Sequence, residues 1–144
     1  MKFISSSYDP NTGESVVIMQ HLGIKFKGKA HLNPEETNPP SEYAGCAYAE
    51  IKATIKALKY ERKLAKNKAD MALDFVKSCE CYAKFNKNDE TAKSIYRQLN
   101  KRIEKVNNLT DNINNLYKKL NILINRREII LKAIDNKKAK QDNL

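Results

Sequence analysis

The chain has 144 residues and a formal net charge of +10, from 27 basic and 17 acidic residues. This length is typical of one domain, and a composition of 31% charged and only 8% aromatic residues favours elongated helices over a thick globular core. No apolar run approaches the roughly 18 residues that span a bilayer, and the N-terminus MKFISSSYDP lacks the apolar segment of a signal peptide. These features predict a single intracellular domain, residues 1–144, with no membrane partner.

Three short segments at the N-terminus have the composition of β-strands: KFISSSY, ESVVIMQ and IKFKGKAHL. In the third segment Lys25, Lys27 and Lys29 alternate with apolar or small residues, as in a strand with one solvated face. The connections DPNTG and HLG contain the residues that hairpin turns require. Residues 1–32 are therefore predicted to form an antiparallel β-meander whose apolar face another element must cover.

Two long helices are predicted after a rigid linker, NPEETNPPS, at residues 33–41. The first helix is expected at residues 42–85 with Ser41 as its N-cap, and the second at residues 89–140 with Asp89 as its N-cap. Gly45 costs the first helix about 1 kcal/mol relative to alanine, so we expect the sheet, a partner helix or a ligand to approach it closely. The predicted fold class is α+β, a three-stranded antiparallel sheet followed by a long antiparallel helical hairpin.

Apolar residues of the second helix form a wide stripe. One row follows 4-3 spacing, and a second row recurs every seven residues. The first row contains Leu99, Ile103, Val106, Thr110, Ile113, Tyr117, Leu120, Ile124, Arg127, Leu131 and Ile134, and the second contains Leu109, Leu116, Leu123 and Ile130. A stripe of this width exceeds the seam of a two-stranded coiled coil and predicts two or more neighbouring helices. The hairpin supplies one neighbour, and a second copy of the chain is the expected source of another.

The excess of positive charge lies entirely in residues 41–144 and favours polyanionic partners, although a solvated helical surface would look the same. Aromatic and basic residues interleave where the two helices join. Phe85 and Tyr96 either stack on a purine or pack the tip of the hairpin. Arg97 and Lys101 could bind phosphate, and Asn88 or Asn100 could bind ribose or a base edge. These residues form the candidate ligand site.

Arg126 and Arg127 form a candidate second anion site. Arg127 interrupts the apolar stripe at a core-facing position. It either pairs with a carboxylate of a facing helix, near Arg62 and Glu61, or binds an anion between subunits, because a buried guanidinium requires such a partner.

No motif for catalysis or for a cofactor is present, so we expect a protein that is not an enzyme. The chain contains no nucleophile motif with a histidine partner and no Gly-rich phosphate loop. The pair Cys79 and Cys81 lacks a second pair of soft ligands nearby, so we also expect no metal site.

At YDPNTGESVV, GKAHLNPEE, SEYAGCAYAEIKATIKALK and TAKSIYRQLN the chain resembles the Thoeris anti-defence proteins of the first type, small phage and prophage proteins. The resemblance implies a sponge that binds cyclic ADP-ribose isomers from bacterial TIR-domain enzymes without cleaving them. It also implies the host bacterial cytoplasm, assembly through the helices into a dimer or a higher oligomer such as a hexamer, and further sites for cyclic oligonucleotides in some members.

Two other functions are compatible with the sequence. A basic helical nucleic-acid-binding protein would use the same charge, and a coiled-coil adaptor would bind a partner protein through the apolar stripe. The chain shows neither a compact recognition helix with a capped turn nor a zinc motif, which disfavours DNA binding.

Overall fold

A computed structural model describes the backbone of residues 1–31, 42–82 and 84–142, and the side chains of residues 1–31, 44–82 and 84–126. The elements are strands β1 (Lys2–Asp9), β2 (Glu14–His21) and β3 (Ile24–His31) and helices α1 (Glu42–Glu80) and α2 (Glu90–Asp142). The predicted α+β class, with a small antiparallel sheet followed by two long helices, is confirmed. The predicted linker at residues 33–41, including Ser41, lies outside the described residues.

The chain divides into two compact units. The first unit comprises Met1–Ala57 and Asn114–Leu144, and the second comprises Leu58–Ile113. Each helix therefore contributes one half to each unit. The prediction of one domain over the whole chain stays a prediction.

The sheet of the first unit has the order β1-β2-β3, with both neighbouring pairs antiparallel. Leu22 and Gly23 join β2 to β3 with φ values of 53° and 75°, the two positive values that a type I′ hairpin turn requires. In the turn between β1 and β2, Gly13 has a φ of 73° and its N–H donates to the Asp9 carbonyl over 2.8 Å. The turn chemistry read from DPNTG and HLG therefore fixes the register of the meander.

The two faces of the sheet differ as the alternation predicts. Val17, Met19 and Ala30 are buried, whereas Lys25, Lys27 and Lys29 are exposed. Helix α1 covers the apolar face at Gly28, where an added Cβ would overlap the Ala49 backbone carbonyl. Gly45 is buried in the first turns of α1, and the expected close approach of another element to it stays a prediction.

The first unit is closed by the two helix halves that it contains. Tyr48, Ile51 and Ile55 of α1 are buried, and so is Leu120 of α2. The Tyr48 hydroxyl donates a 2.9 Å hydrogen bond to the Leu123 carbonyl, which joins the two helices within this unit.

The second unit is an antiparallel helical hairpin, because its contacts run in opposite directions along the two helices. Glu61 lies near Lys105, the Lys68 carbonyl accepts from Arg102, and Glu80 accepts from Tyr96. The buried residues of α1 in this unit are Ala65, Ala69 and Val76, and those of α2 are Ala92, Leu99, Leu109 and Ile113, so the larger side chains lie on α2.

The apolar stripe of α2 is buried along two of its three rows. Leu99, Ile113 and Leu120 of the predicted seam are buried, whereas Ile103, Tyr117 and Ile124 of the same seam are 42%, 39% and 40% exposed. The seven-residue row is better covered, because Leu109 is buried and Leu116 and Leu123 are half-buried. A single neighbouring helix covers only part of a stripe three residues wide, so one row stays exposed within a single chain.

The helix ends at the tip of the hairpin also differ from the prediction. Helix α1 ends at Glu80, five residues before the predicted end, because the N–H groups of Cys81, Tyr82 and Phe85 turn to carbonyls three residues back. The start of α2 agrees with the prediction: the Lys93 N–H donates to the Asp89 carbonyl over 3.0 Å, which puts Asp89 at the N-cap position. Helix α2 continues to Asp142 rather than residue 140, within the usual fraying of helix ends.

Candidate functional site

Residues around the hairpin tip form a small cluster of aromatic and charged side chains, which we call the tip cluster: Glu80, Phe85, Glu90, Lys93, Tyr96 and Arg97. Glu80 ends α1, Phe85 lies in the connection, and the other four lie in the first turns of α2. The tip cluster lies entirely within the second unit.

The two predicted stacking residues are brought together by the fold. The rings of Phe85 and Tyr96 have centroids 6.4 Å apart and are tilted by 60°, the geometry of an edge-to-face pair. Both residues are half-buried. The pair therefore packs the hairpin tip and at the same time leaves ring surface open to solvent, so it is compatible with both alternatives raised by the sequence.

A carboxylate at the end of α1 fixes the orientation of Tyr96. The Tyr96 hydroxyl donates a 2.6 Å hydrogen bond to Glu80 Oε1. This hydrogen bond, together with some desolvation and the negative charge of Glu80, raises the pKa of Tyr96 above its ordinary value of 10.0. The phenol is thus held protonated, with its ring against Phe85.

The basic residues of the tip cluster share one carboxylate. Glu90 Oε2 lies 3.8 Å from Arg97 Nη2, and Glu90 Oε1 lies 3.8 Å from Lys93 Nζ. The Arg97 Nε–H also donates to the Lys93 carbonyl over 3.4 Å. All three side chains are more than half exposed, so these ion pairs are screened by water and exchange readily.

The remaining predicted ligand residues are exposed. The Asn88 N–H donates to Asn86 Oδ1 in the turn before α2, while Asn100 lies on the exposed side of α2. Lys101 lines a shallow groove of about 270 Å3 along α2. The other residues of that groove are Glu104, Lys105, Asn108, Leu109 and Asn112. The prediction that Asn88, Asn100 and Lys101 act with Phe85 and Tyr96 stays a prediction.

The predicted second anion site lies in part outside the described side chains. Arg126 is exposed on α2 in the first unit, and the side chain of Arg127 is not described. Glu61, which the sequence offered as a partner for Arg127, lies 3.9 Å from Lys105 within the second unit.

The sequence prediction omitted two carboxylates of the tip cluster, Glu80 and Glu90. Glu80 is 16 positions from Tyr96 along the chain, and only the hairpin turn brings the two together. Glu90 was recognisable as an acidic residue in the first turn of a helix, three positions before Lys93 and seven before Arg97.

The described part of the chain contains neither a cluster of metal-binding side chains nor a membrane-spanning helix. Among residues 1–31, 42–82 and 84–142, no group of three or more His, Cys, Asp or Glu residues is placed to hold a metal ion. None of the helices described there combines the length and apolar character needed to cross a bilayer.

The fold and the tip cluster define an α+β protein with a helical hairpin that carries an aromatic and basic tip. No protein-family model, curated protein or solved structure matches this chain.

Proposed function

We propose that the protein sequesters a small cyclic nucleotide of the cyclic ADP-ribose type and holds it without cleaving it. The ligand class comes from the resemblance to the Thoeris anti-defence proteins of the first type. The protein would then be encoded by a phage and act in the cytoplasm of the host bacterium. It would lower the free concentration of an immune signal by binding it in stoichiometric amounts.

The observation that supports the proposal best is the pairing of Phe85 with Tyr96 in the tip cluster. An adenine base stacks well on an aromatic surface, and a diphosphate accepts strong hydrogen bonds from guanidinium or ammonium groups. The fold supplies the half-buried ring pair, and Lys93 and Arg97 lie in the same first turns of α2. Lys101 follows one turn beyond Arg97 on the same helix.

Phosphate binding at Arg97 would replace an existing carboxylate partner. Glu90 holds Arg97 at 3.8 Å, and both side chains are largely exposed. Such an exposed ion pair contributes little, whereas a phosphate can accept two parallel hydrogen bonds from a guanidinium. The exchange of Glu90 for a phosphate at Arg97 is therefore favourable, and Glu90 keeps its existing pair with Lys93.

Tight sequestration would need more enclosure than one hairpin provides. Glu90, Lys93 and Arg97 of the tip cluster are more than half exposed, whereas a pocket that encloses a small ligand buries roughly 70–90% of the ligand's surface. We therefore propose that a second subunit covers the bound nucleotide in a dimer or a higher oligomer, such as a hexamer.

The test is a thermal melt of the purified protein with a panel of cyclic ADP-ribose isomers, cyclic di- and trinucleotides and short DNA. A ligand at a hundredfold excess over its dissociation constant stabilises the folded state by about 2.7 kcal/mol, so the melting temperature rises by several degrees. Ligand recovered after heat denaturation should be chemically intact. Recovery of a cleaved product would show an enzyme and contradict sequestration.

Two variants locate the site. Phe85→Ala should lose the ligand-dependent shift, whereas Tyr82→Ala, which removes an aromatic ring that is 73% exposed near the same tip, should keep it. Unaltered binding by both Phe85→Ala and Arg97→Ala would place the ligand elsewhere. A shift with DNA alone, falling steeply with salt, would replace the proposal by nucleic-acid binding, since phosphate contacts release counterions.

A further inference from the structure

A groove in the second unit involves none of the residues of the tip cluster. It lies between α1 and α2, has a volume of about 240 Å3, and is lined by Met71, Ala72, Phe75, Ile95, Gln98 and Arg102. We call it the Met71 groove. The proposed nucleotide site makes no use of it.

The floor of the Met71 groove is apolar and open to solvent. Met71 is 70% exposed and Phe75 is 57% exposed, the largest exposures among the apolar residues of α1. Leu64, 37% exposed, precedes Met71 by two helical turns and so shares its face of α1. Exposed apolar side chains that line one groove, as Met71 and Phe75 do, indicate an interaction surface more strongly than apolar residues scattered singly. Methionine in particular adapts its shape to a partner.

The rim of the Met71 groove is basic. Arg102 Nη1 donates to the Lys68 carbonyl over 3.0 Å, which draws the guanidinium across to α1. Within the described part of the chain, Arg102 pairs with no carboxylate. Its guanidinium therefore keeps N–H groups that a carboxylate of a partner can accept from.

Acidic residues close to the groove do not neutralise the rim. Asp70 and Asp74 flank Met71 along α1, but neither lines the groove. Glu61 lies on α1 two turns before Lys68, and its carboxylate is 3.9 Å from Lys105 Nζ. The lining thus combines apolar side chains with a single charged group, Arg102, which is positive.

We propose that the Met71 groove docks an amphipathic helix of a partner protein, with apolar side chains toward Met71 and Phe75 and a carboxylate toward Arg102. From Leu64 to Phe75 the exposed face extends on the order of 16 Å along α1, the length of three turns of a partner helix. Helix-in-groove recognition uses apolar anchors at such spacing, and opposite charges at the rim select the partner.

Charge complementarity favours an acidic partner over a second copy of this face. The chain carries a net charge of +10, and two copies meeting at this groove would bring their Arg102 side chains together. The proposal is independent of the nucleotide function, because it uses different residues and a different kind of partner.

The test uses two labelled helical peptides with the same Leu and Phe anchors, one with Glu and one with Lys at every polar position. Fluorescence anisotropy with the full chain should show binding of the Glu peptide and none of the Lys peptide. Met71→Glu and Arg102→Gln should each weaken binding about tenfold or more, as expected of central interface residues. Ile122→Glu changes an apolar residue that is 51% exposed outside the groove and should leave binding unchanged.

Three results would overturn the proposal. The first is binding of neither peptide, and the second is equal binding of the Glu and Lys peptides. The third is an oligomer of the chain that Met71→Glu dissociates, which would make the groove a contact between copies. Circular dichroism of Met71→Glu and Arg102→Gln separates loss of binding from loss of folding, since both altered side chains are exposed.

Discussion

Tyr96 illustrates how one side chain of this protein serves both packing and a candidate binding surface. Its ring meets Phe85, and its hydroxyl is committed to Glu80 at the end of the other helix. A stacking ring that is held at both its face and its hydroxyl loses little further freedom when a ligand binds. The carboxylate of Glu80 also makes this end of the cluster a hydrogen-bond acceptor, so a donor such as an exocyclic amine or a ribose hydroxyl would suit it better than a phosphate.

The pH behaviour of Tyr96 can be measured directly. Because the folded-state pKa lies above 10.0, the stabilising bond to Glu80 is fully present below pH 10 and is lost as the pH rises through the raised pKa. A tyrosinate absorbance titration follows the seven tyrosines of the chain together. We expect Tyr96→Phe to remove one group that titrates late, at a pH above the ordinary pKa of tyrosine. Glu80→Gln should lower the pKa of Tyr96 toward its ordinary value. An unchanged titration in Glu80→Gln would show that this hydrogen bond does not form in solution.

At the scale of the elements, the contact between β3 and α1 depends on small residues on both sides. Gly28 lies on the apolar face of the sheet, and Ala49 and Ala53 of α1 are completely buried. The alternation of lysines along β3 identified the face of Gly28 without identifying its neighbour. The helix approaches so closely that backbone, not side chain, is what an added methyl group would meet.

Gly28→Ala should therefore destabilise the first unit. A backbone neighbour cannot move aside as a flexible side chain can, so we expect the free energy of unfolding to fall by about 1–3 kcal/mol. Urea denaturation followed by circular dichroism measures this change. Lys25→Ala in the same strand, at an exposed position, is the matched control and should have little effect. Equal stability of Gly28→Ala and the wild-type protein would contradict the close approach of α1 to β3.

For the whole molecule, the apolar row of α2 that stays exposed in one chain is the strongest indication of self-association. The row includes Tyr117 and Ile124 in the first unit, and Asn114 and Asn121 form an exposed polar row three residues before them. An amphipathic helix with three apolar rows is typical of a bundle of more than two helices. This row is distinct in its residues from the Met71 groove.

Ile124→Glu should convert an oligomer of the wild-type chain into a monomer of 16.5 kDa, because a carboxylate cannot be buried there without a partner. Sedimentation velocity at micromolar concentration measures the mass. Asn121→Glu places the same charge on the neighbouring polar row and should leave the oligomer intact. A wild-type chain that sediments as a monomer would contradict self-association, and with it the proposed enclosure of a nucleotide between subunits.

Local sequence signals were sufficient to predict the class of fold and most of its elements. The alternation of Lys25, Lys27 and Lys29, the turn residues around Gly13 and Gly23, and the cap at Asp89 each act within a few residues of the chain. The candidate ligand residues Phe85 and Tyr96 were also recognisable, because they lie close to the predicted break between the helices. Such features depend on backbone conformations and periodicities that neighbouring residues alone determine.

Only the tertiary structure decided which partners meet. The sequence could not show that α1 ends at Glu80, that Glu80 receives the Tyr96 hydroxyl, or that the backbone of α1 approaches the sheet at Gly28. It likewise could not tell which rows of a three-row stripe the neighbouring helix of the same chain would cover and which, like Ile103 and Ile124, it would leave exposed. Helical periodicity gives the direction of each side chain from its own axis, whereas burial depends on where a second element lies, and that position follows from contacts between residues far apart along the chain.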